Sequence, residues 1–90
     1  MIEREVKVTN RAGIHARPAA LIVQTASKYE SKILLGKENE QINAKSIMGI
    51  ITLGAGYDTA LQLTVEGPDE QEAADALATL FENRFQEEPA

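Results

Sequence analysis

The chain contains no cysteine, which excludes a disulfide framework and a thiolate zinc site and suits a reducing compartment. No apolar run approaches the roughly 18 residues of a membrane-spanning helix, so no membrane insertion is expected. The opening Met1-Ile2-Glu3-Arg4-Glu5 lacks the basic and apolar regions of a signal peptide, and the expected location is the cytoplasm. Nine Lys and Arg stand against fourteen Asp and Glu, a net charge of -5, which argues against a nucleic-acid partner. Aromatic residues are scarce: Tyr29, Tyr57, Phe81 and Phe85 show no stacking pattern and read as core or edge residues. Ninety residues make one domain, 1–90, with no room for a deep pocket or an enclosed cofactor. Any chemistry should therefore sit on the surface. Charge is unevenly spread: Arg4, Lys7, Arg11 and Arg17 lie near the start, and Glu82, Glu87 and Glu88 near the end. Such asymmetry would suit a face that meets an anion or an acidic partner.

Hydrophobic periodicity orders what remains. Residues 2–9 alternate loosely, with Val6 and Val8 on one side, and predict a half-buried strand. Asn10-Arg11-Ala12-Gly13 is turn-like. Ala19, Ile22, Val23 and Ala26 form a helical stripe within residues 16–28. Pro18 fits the first turn, where its missing N–H costs nothing, so the helix should begin at Ala16 with His15 as N-cap. Residues 32–36 and Glu40–Asn43 predict a hairpin across a turn at Gly36-Lys37-Glu38-Asn39. Ser46 is a favoured N-cap for a short helix from about 47 to 52, although the β-branched residues there also allow a strand. Residues 60–66 alternate cleanly as a strand with one face to the core. Residues 70–84 follow as a helix, with Glu70 and Glu72 in its first turn and Arg84 in its last, complementing the dipole. The tail from Gln86 should fray. The order β-α-β-β-α-β-α indicates an α+β open-faced sandwich, its sheet at least partly antiparallel.

The one histidine, His15, stands in Gly13-Ile14-His15-Ala16-Arg17-Pro18-Ala19. A lone histidine is usually structural, and histidine is a poor N-cap; a local rule broken here points to function. A helix N-terminus offers unpaired amides and partial positive charge, a seat for phosphate. With Pro18 supplying no N–H, the donors nearest His15 are the amides of Ala16 and Arg17. Arg17 adds a cation with bidentate geometry for phosphate oxygens, although such an arginine is also common as a plain solvated side chain. Gly13 permits a tight backbone approach. A neutral imidazole nitrogen is a competent nucleophile. The sequence offers neither a general base for water nor carboxylates near His15 to hold magnesium, so the constellation is a phosphoryl acceptor rather than a hydrolase. No metal or cofactor is expected.

A second feature is Ser46 followed by Ile47, Met48, Ile50 and Ile51. So many large apolar side chains cannot all face inward on a short helix. Ile47 and Ile51 should be exposed, and with Met48 they would make an adaptable protein-binding patch. A phosphate on Ser46 would add about two negative charges beside that patch and disfavour docking. Gly54-Ala55-Gly56 reads as a plain turn, having too few glycines for a phosphate-binding loop.

The segments Gly13–Ala19 and Lys45-Ser46-Ile47-Met48-Gly49 with Leu53-Gly54 resemble, respectively, the active-site signature and the regulatory serine segment of the HPr family. These are the phosphocarriers of the phosphoenolpyruvate-dependent sugar phosphotransferase system. Gln24–Tyr29 is similar to the continuation of the first helix in Gram-positive-type members, and the likeness runs from Val6 to about Phe85. It implies a four-stranded antiparallel sheet with three helices on one face. It implies a phosphoryl-transfer intermediate rather than a stand-alone catalyst. His15 would be phosphorylated on Nδ1 by phospho-enzyme I and would pass the group to enzyme IIA components of sugar permeases. Arg17 would stabilise the moving phosphoryl group. Ser46 would be the target of an ATP-dependent HPr kinase/phosphorylase, and its phosphorylated form would bind a transcription regulator of carbon catabolism.

Three departures stand out. Residues 55–59 differ from the expected glycine-containing turn, the tail is more acidic and slightly longer, and Ala12 stands where members often carry a small polar residue. Retention of His15 separates the chain from the branch that keeps the serine and has lost the histidine. Ser46 and its context favour the sugar branch over the nitrogen-related branch. A regulatory module acting mainly through phospho-Ser46 is the alternative of another class, and a monomer is the expected state.

Overall fold

Alternation in Ala60–Glu66 places Leu61, Leu63 and Val65 on one side of a strand, each at most 1% exposed. That strand is the hub of the sheet. A computed structural model describes residues 1–86 and orders them as β1 (Ile2–Lys7), α1 (Ala16–Ala26), β2 (Lys32–Lys37), β3 (Glu40–Asn43), α2 (Ile47–Leu53), β4 (Ala60–Glu66) and α3 (Glu70–Glu82), then a short 3-10 turn, Arg84–Gln86. The sheet is antiparallel throughout, with strand order β1-β4-β2-β3. Val6 faces Leu61 across β1 and β4, and Leu35 faces Leu63 across β2 and β4. The apolar residues of β1, β2 and β4 thus meet on one face. The three helices cover that face, while Glu3, Glu5, Lys32 and Gln62 line the open one. The expected α+β open-faced sandwich is the fold found.

Ile22 from α1, Ile50 from α2 and Leu77 and Phe81 from α3 close the core over the sheet. Full burial of such a side chain contributes about 1.5–3 kcal/mol. This stripe holds each helix in place; α2, at seven residues, is too short to persist alone in water.

Boundaries differ from the sequence reading where tertiary contacts intervene. β1 ends at Lys7, but Val8 stays buried: its N–H donates to the Thr59 carbonyl at 2.9 Å and its carbonyl accepts from Asp58 N–H at 2.8 Å. β2 runs on through Gly36 and Lys37, leaving only Glu38-Asn39 as the turn, with Glu38 at φ +57°. α1 stops at Ala26, two residues early, where Lys28 and Tyr29 N–H donate to the Thr25 and Ala26 carbonyls in tighter turns.

The largest correction is at the end of α3. Arg84 is not in the last helical turn: the helix ends at Glu82, and Arg84, Phe85 and Gln86 all take left-handed backbone angles. The turn swings Phe85 back into the core, where it is fully buried edge-on to Phe81 with ring centroids 4.9 Å apart. Two of the four aromatic residues therefore do pair. Burying a phenyl ring and making an aromatic contact outweighs the few tenths of a kcal/mol from a cation at an exposed helix end. Gln86 itself is held, donating its N–H to the Asn83 carbonyl at 2.9 Å. The rest of the tail expected to fray, with Glu87 and Glu88, lies outside the described residues.

Candidate functional site

The chain leaves β1 through Asn10 and turns at Gly13, whose N–H donates to the Asn10 carbonyl at 3.1 Å. Gly13 has φ +74°, and a Cβ there would lie 3.0 Å from Gly56 Cα and 3.1 Å from the Ala55 carbonyl oxygen. Backbone angle and backbone crowding both require glycine. Ile14 is buried, and its N–H donates to the Ala55 carbonyl at 2.9 Å. The segment Gly54-Ala55-Gly56, read as a plain turn, is therefore the floor under the histidine loop. Nothing in its composition announced this, because the contact joins residues some forty positions apart.

His15 follows as N-cap of α1 in extended conformation, φ -100° and ψ -162°, with its side chain exposed and making no capping hydrogen bond. The first intrahelical bond is donated by Ala19 to the His15 carbonyl at 3.0 Å. The amides of Ala16 and Arg17 precede it, Pro18 has none, and the first turn carries no acidic residue. Arg17 is exposed on this turn, and among the described residues no carboxylate lies within ion-pair distance of it. The helix end thus gathers the exposed His15, two amides with no partner within the helix and the exposed Arg17, with partial positive charge and no acidic residue in the first turn.

Two of the four N-terminal cations are engaged away from this site. Arg4 is engaged by Asp75 at 3.0 Å and Glu82 at 3.9 Å, and Lys7 by Asp58 at 3.4 Å. These contacts tie β1 to α3 and to the approach to β4. Among the described residues no group of three or more His, Cys, Asp or Glu could hold a metal ion, and no helix is long and apolar enough to cross a membrane.

Ser46 caps α2, its Oγ accepting from Gly49 N–H at 3.1 Å. Ile50 and Leu53 face the core, while Ile47, Met48 and Ile51 are 41%, 68% and 46% exposed. The patch expected beside Ser46 is thus on the surface. Lys45 is directed elsewhere, its Nζ donating to the Tyr29 carbonyl at 2.7 Å.

A third polar centre was not legible in the sequence. Asp69, ahead of α3, accepts from the backbone N–H groups of Glu30 and Ser31, both at 3.0 Å, and from the Ser31 hydroxyl. Its own N–H donates to Ser31 Oγ at 3.2 Å. The Ser31 hydroxyl, then the Glu30 amide, lower the Asp69 pKa from its ordinary 3.8. Glu70 accepts from Gly67 N–H at 3.1 Å and pairs with the Met1 amino group at 3.1 Å. The Gly67 amide, then that amino group, lower its pKa from 4.5.

A family model described as the PTS HPr component phosphorylation site matches residues 2–83. The phosphocarrier protein HPr of Treponema pallidum is 54% identical over 88 residues, 98% of this chain and 100% of that protein. The crystal structure of HPr-C-His from Thermoanaerobacter tengcongensis superposes with a TM-score of 0.95 at 50% identity, covering 99% of this chain and 100% of the other. The crystal structure of Crh, the catabolite repression protein of Bacillus subtilis, described as a swapped dimer, superposes with a TM-score of 0.75 at 40% identity, covering 93% and 97%.

Proposed function

The chain belongs to the HPr family of phosphocarrier proteins, and from that premise we propose that it carries its phosphoryl group on His15 and is regulated at Ser46. The observation that carries this reading is the exposed His15 at an uncapped helix end whose first two residues, Ala16 and Arg17, are exposed too and whose first turn carries no acid. In the reaction, the lone pair of His15 Nδ1 attacks the phosphorus of phospho-enzyme I. The donor's bond to phosphorus breaks, and its electron pair returns to the donor. Phosphoryl transfer has a loose transition state with charge on the three equatorial oxygens, so positioning and electrostatics dominate. The Ala16 and Arg17 amides and the Arg17 guanidinium meet those oxygens, at a site with no carboxylate in the first turn to repel them. The same step in reverse sense delivers the group to an enzyme IIA component. The chain is then a transfer intermediate rather than a stand-alone catalyst.

Ile47, Met48 and Ile51 form the apolar patch on which both partners dock. They lie on α2, which is joined through Gly54 to the Ala55 carbonyl beneath the histidine loop. A phosphate placed on Ser46 by an HPr kinase/phosphorylase sits at the N-terminus of α2, where the dipole favours it, and places its charge at the patch edge. Docking weakens without unfolding.

The acceptor reading is tested with phosphoenolpyruvate and bacterial enzyme I, followed by intact mass. One acid-labile phosphate is expected on the wild type and none on His15→Ala. No gain beside an active known acceptor overturns it. A second reading, a mainly regulatory module that binds a carbon-catabolite transcription regulator, is favoured by the position of Ser46 at the edge of an exposed apolar patch and by the likeness to Crh. A His15→Ala strain that keeps every cellular function supports that reading instead. We take the carrier to be a monomer; because Crh is a dimer, light scattering at assay concentration decides this.

A further inference from the structure

We propose that Asn10 is a positioning residue for phosphoryl transfer, an inference that rests on His15 being the acceptor. Only Asn10 and Ser31 are buried polar residues among those described, at 0% and 1% exposure. An amide withdrawn from water is costly unless its hydrogen bonds are made inside. Asn10 Nδ2 donates to the Gly13 carbonyl at 2.7 Å. The same oxygen accepts the His15 backbone N–H at 3.2 Å, and Gly13 N–H returns to the Asn10 carbonyl at 3.1 Å. A carbonyl oxygen has two lone pairs, and this one serves Asn10 and His15 together.

The consequence is a fixed peptide. One side of the Gly13–Ile14 link is held through its oxygen by Asn10, and the other through Ile14 N–H by the Ala55 carbonyl at 2.9 Å. The His15 side chain is exposed and is carried by this backbone. The point from which it reaches out, and the direction of the Ala16 and Arg17 amides, follow from the backbone that enters the helix. Asn10 acts on the imidazole through that backbone. Displacing a reacting group by about 1 Å costs on the order of a hundredfold in rate. The patch on α2 does not depend on Asn10, so partner docking survives its loss.

The experiment compares wild type, Asn10→Ala and Ser31→Ala as acceptors for enzyme I and phosphoenolpyruvate, at a temperature where circular dichroism shows all three folded. Ser31→Ala removes the other buried polar side chain, in the Asp69 cluster, and controls for lost stability alone. For Asn10→Ala, kcat should fall about tenfold or more with KM for the carrier unchanged, while Ser31→Ala keeps the wild-type kcat. Wild-type kcat in Asn10→Ala overturns the assignment, and so does an equal fall in both variants. Failure of the wild type to accept phosphate beside an active known acceptor is a separate outcome: it overturns the acceptor reading and this inference with it. If Asn10→Ala does not fold, Asn10→Ser replaces it. Its polar group fits the space but is one bond too short to reach the Gly13 carbonyl, and the same split in kcat and KM is expected; wild-type kcat there also overturns the assignment.

Discussion

Two helix ends in this molecule solve one physical problem in opposite ways. Every α-helix begins with amides that have no partner within it and with partial positive charge. At α3 the chain sets its own charge at that end: Glu70 and Glu72 lie in the first turn, Glu70 accepts from Gly67 N–H just ahead of the helix, and the N-cap Asp69, which like His15 makes no side-chain cap, bonds Glu30 and Ser31 instead. At α1 there is no acidic residue in the first turn and no side-chain cap, although the backbone leading into it is clamped at Gly13 and Ile14. α2 is intermediate, its end satisfied by the Ser46 hydroxyl. The difference teaches that an end without acidic residues on a rigid entry keeps its partial positive charge available to an outside anion, whereas an end faced by its own carboxylates does not.

The most direct way to break the contrast is to give α1 an acid in its first turn, as α3 has. Ala16→Asp places a carboxylate at the start of α1, where it should stabilise the helix by about 0.3–1 kcal/mol. It should abolish phosphoryl transfer by occupying the seat of the phosphate. A raised Tm with no mass gain under enzyme I and phosphoenolpyruvate is the expected pair of results. Arg17→Ala keeps the end open but removes its cation. Its kcat as acceptor should fall on the order of a hundredfold, with Tm unchanged because Arg17 is exposed and has no ion-pair partner among the described residues.

The α3 end should respond in the opposite manner. Ser31→Ala should cost about 1–3 kcal/mol in urea unfolding, since the hydroxyl is buried and bonded to Asp69 in both directions, and should leave transfer intact. For α2, Ser46→Ala should cost about 1 kcal/mol and remove the site of ATP-dependent modification, read by mass after incubation with the kinase. The smallest effect is at the acid flank. Asp69 and Glu70 are held below their ordinary pKa values of 3.8 and 4.5, so in acid the unfolded chain binds more protons than the folded one. Their contribution is present in full above the ordinary values and is lost as pH falls through the lowered ones. The urea midpoint of the wild type should therefore drop as pH falls below about 4.5, and Asp69→Asn should flatten that drop.

Much of this was legible in the sequence because it is local. β4 was read with its observed ends, since strict alternation over seven residues has one interpretation. Pro18 and the stripe from Ala19 to Ala26 placed the start of α1 and left His15 as its cap. Ser46 declared itself as a cap, and the surplus of large apolar residues behind it forecast the exposure of Ile47 and Ile51. The misreadings share a cause. Arg84 suited a helix C-terminus by charge, but Phe85 had a place in the core against Phe81 and took the chain out of the helix to reach it.

The sequence by itself determined most of the elements, the amphipathic faces and which residues are candidates for the chemistry, because periodicity, capping and side-chain chemistry act over a few residues. The tertiary structure decided what lies under those groups. The strand order β1-β4-β2-β3 and the chain's return through Gly54 bring the Ala55 carbonyl to Ile14 N–H and Gly56 against Gly13. Within the turn itself, only the fold withdraws Asn10 from water and sets its amide on the Gly13 carbonyl. Hydrogen bonds between distant backbone groups carry no residue signature, since every peptide offers the same donor and acceptor. Only the packing of helices on a sheet selects which of them meet.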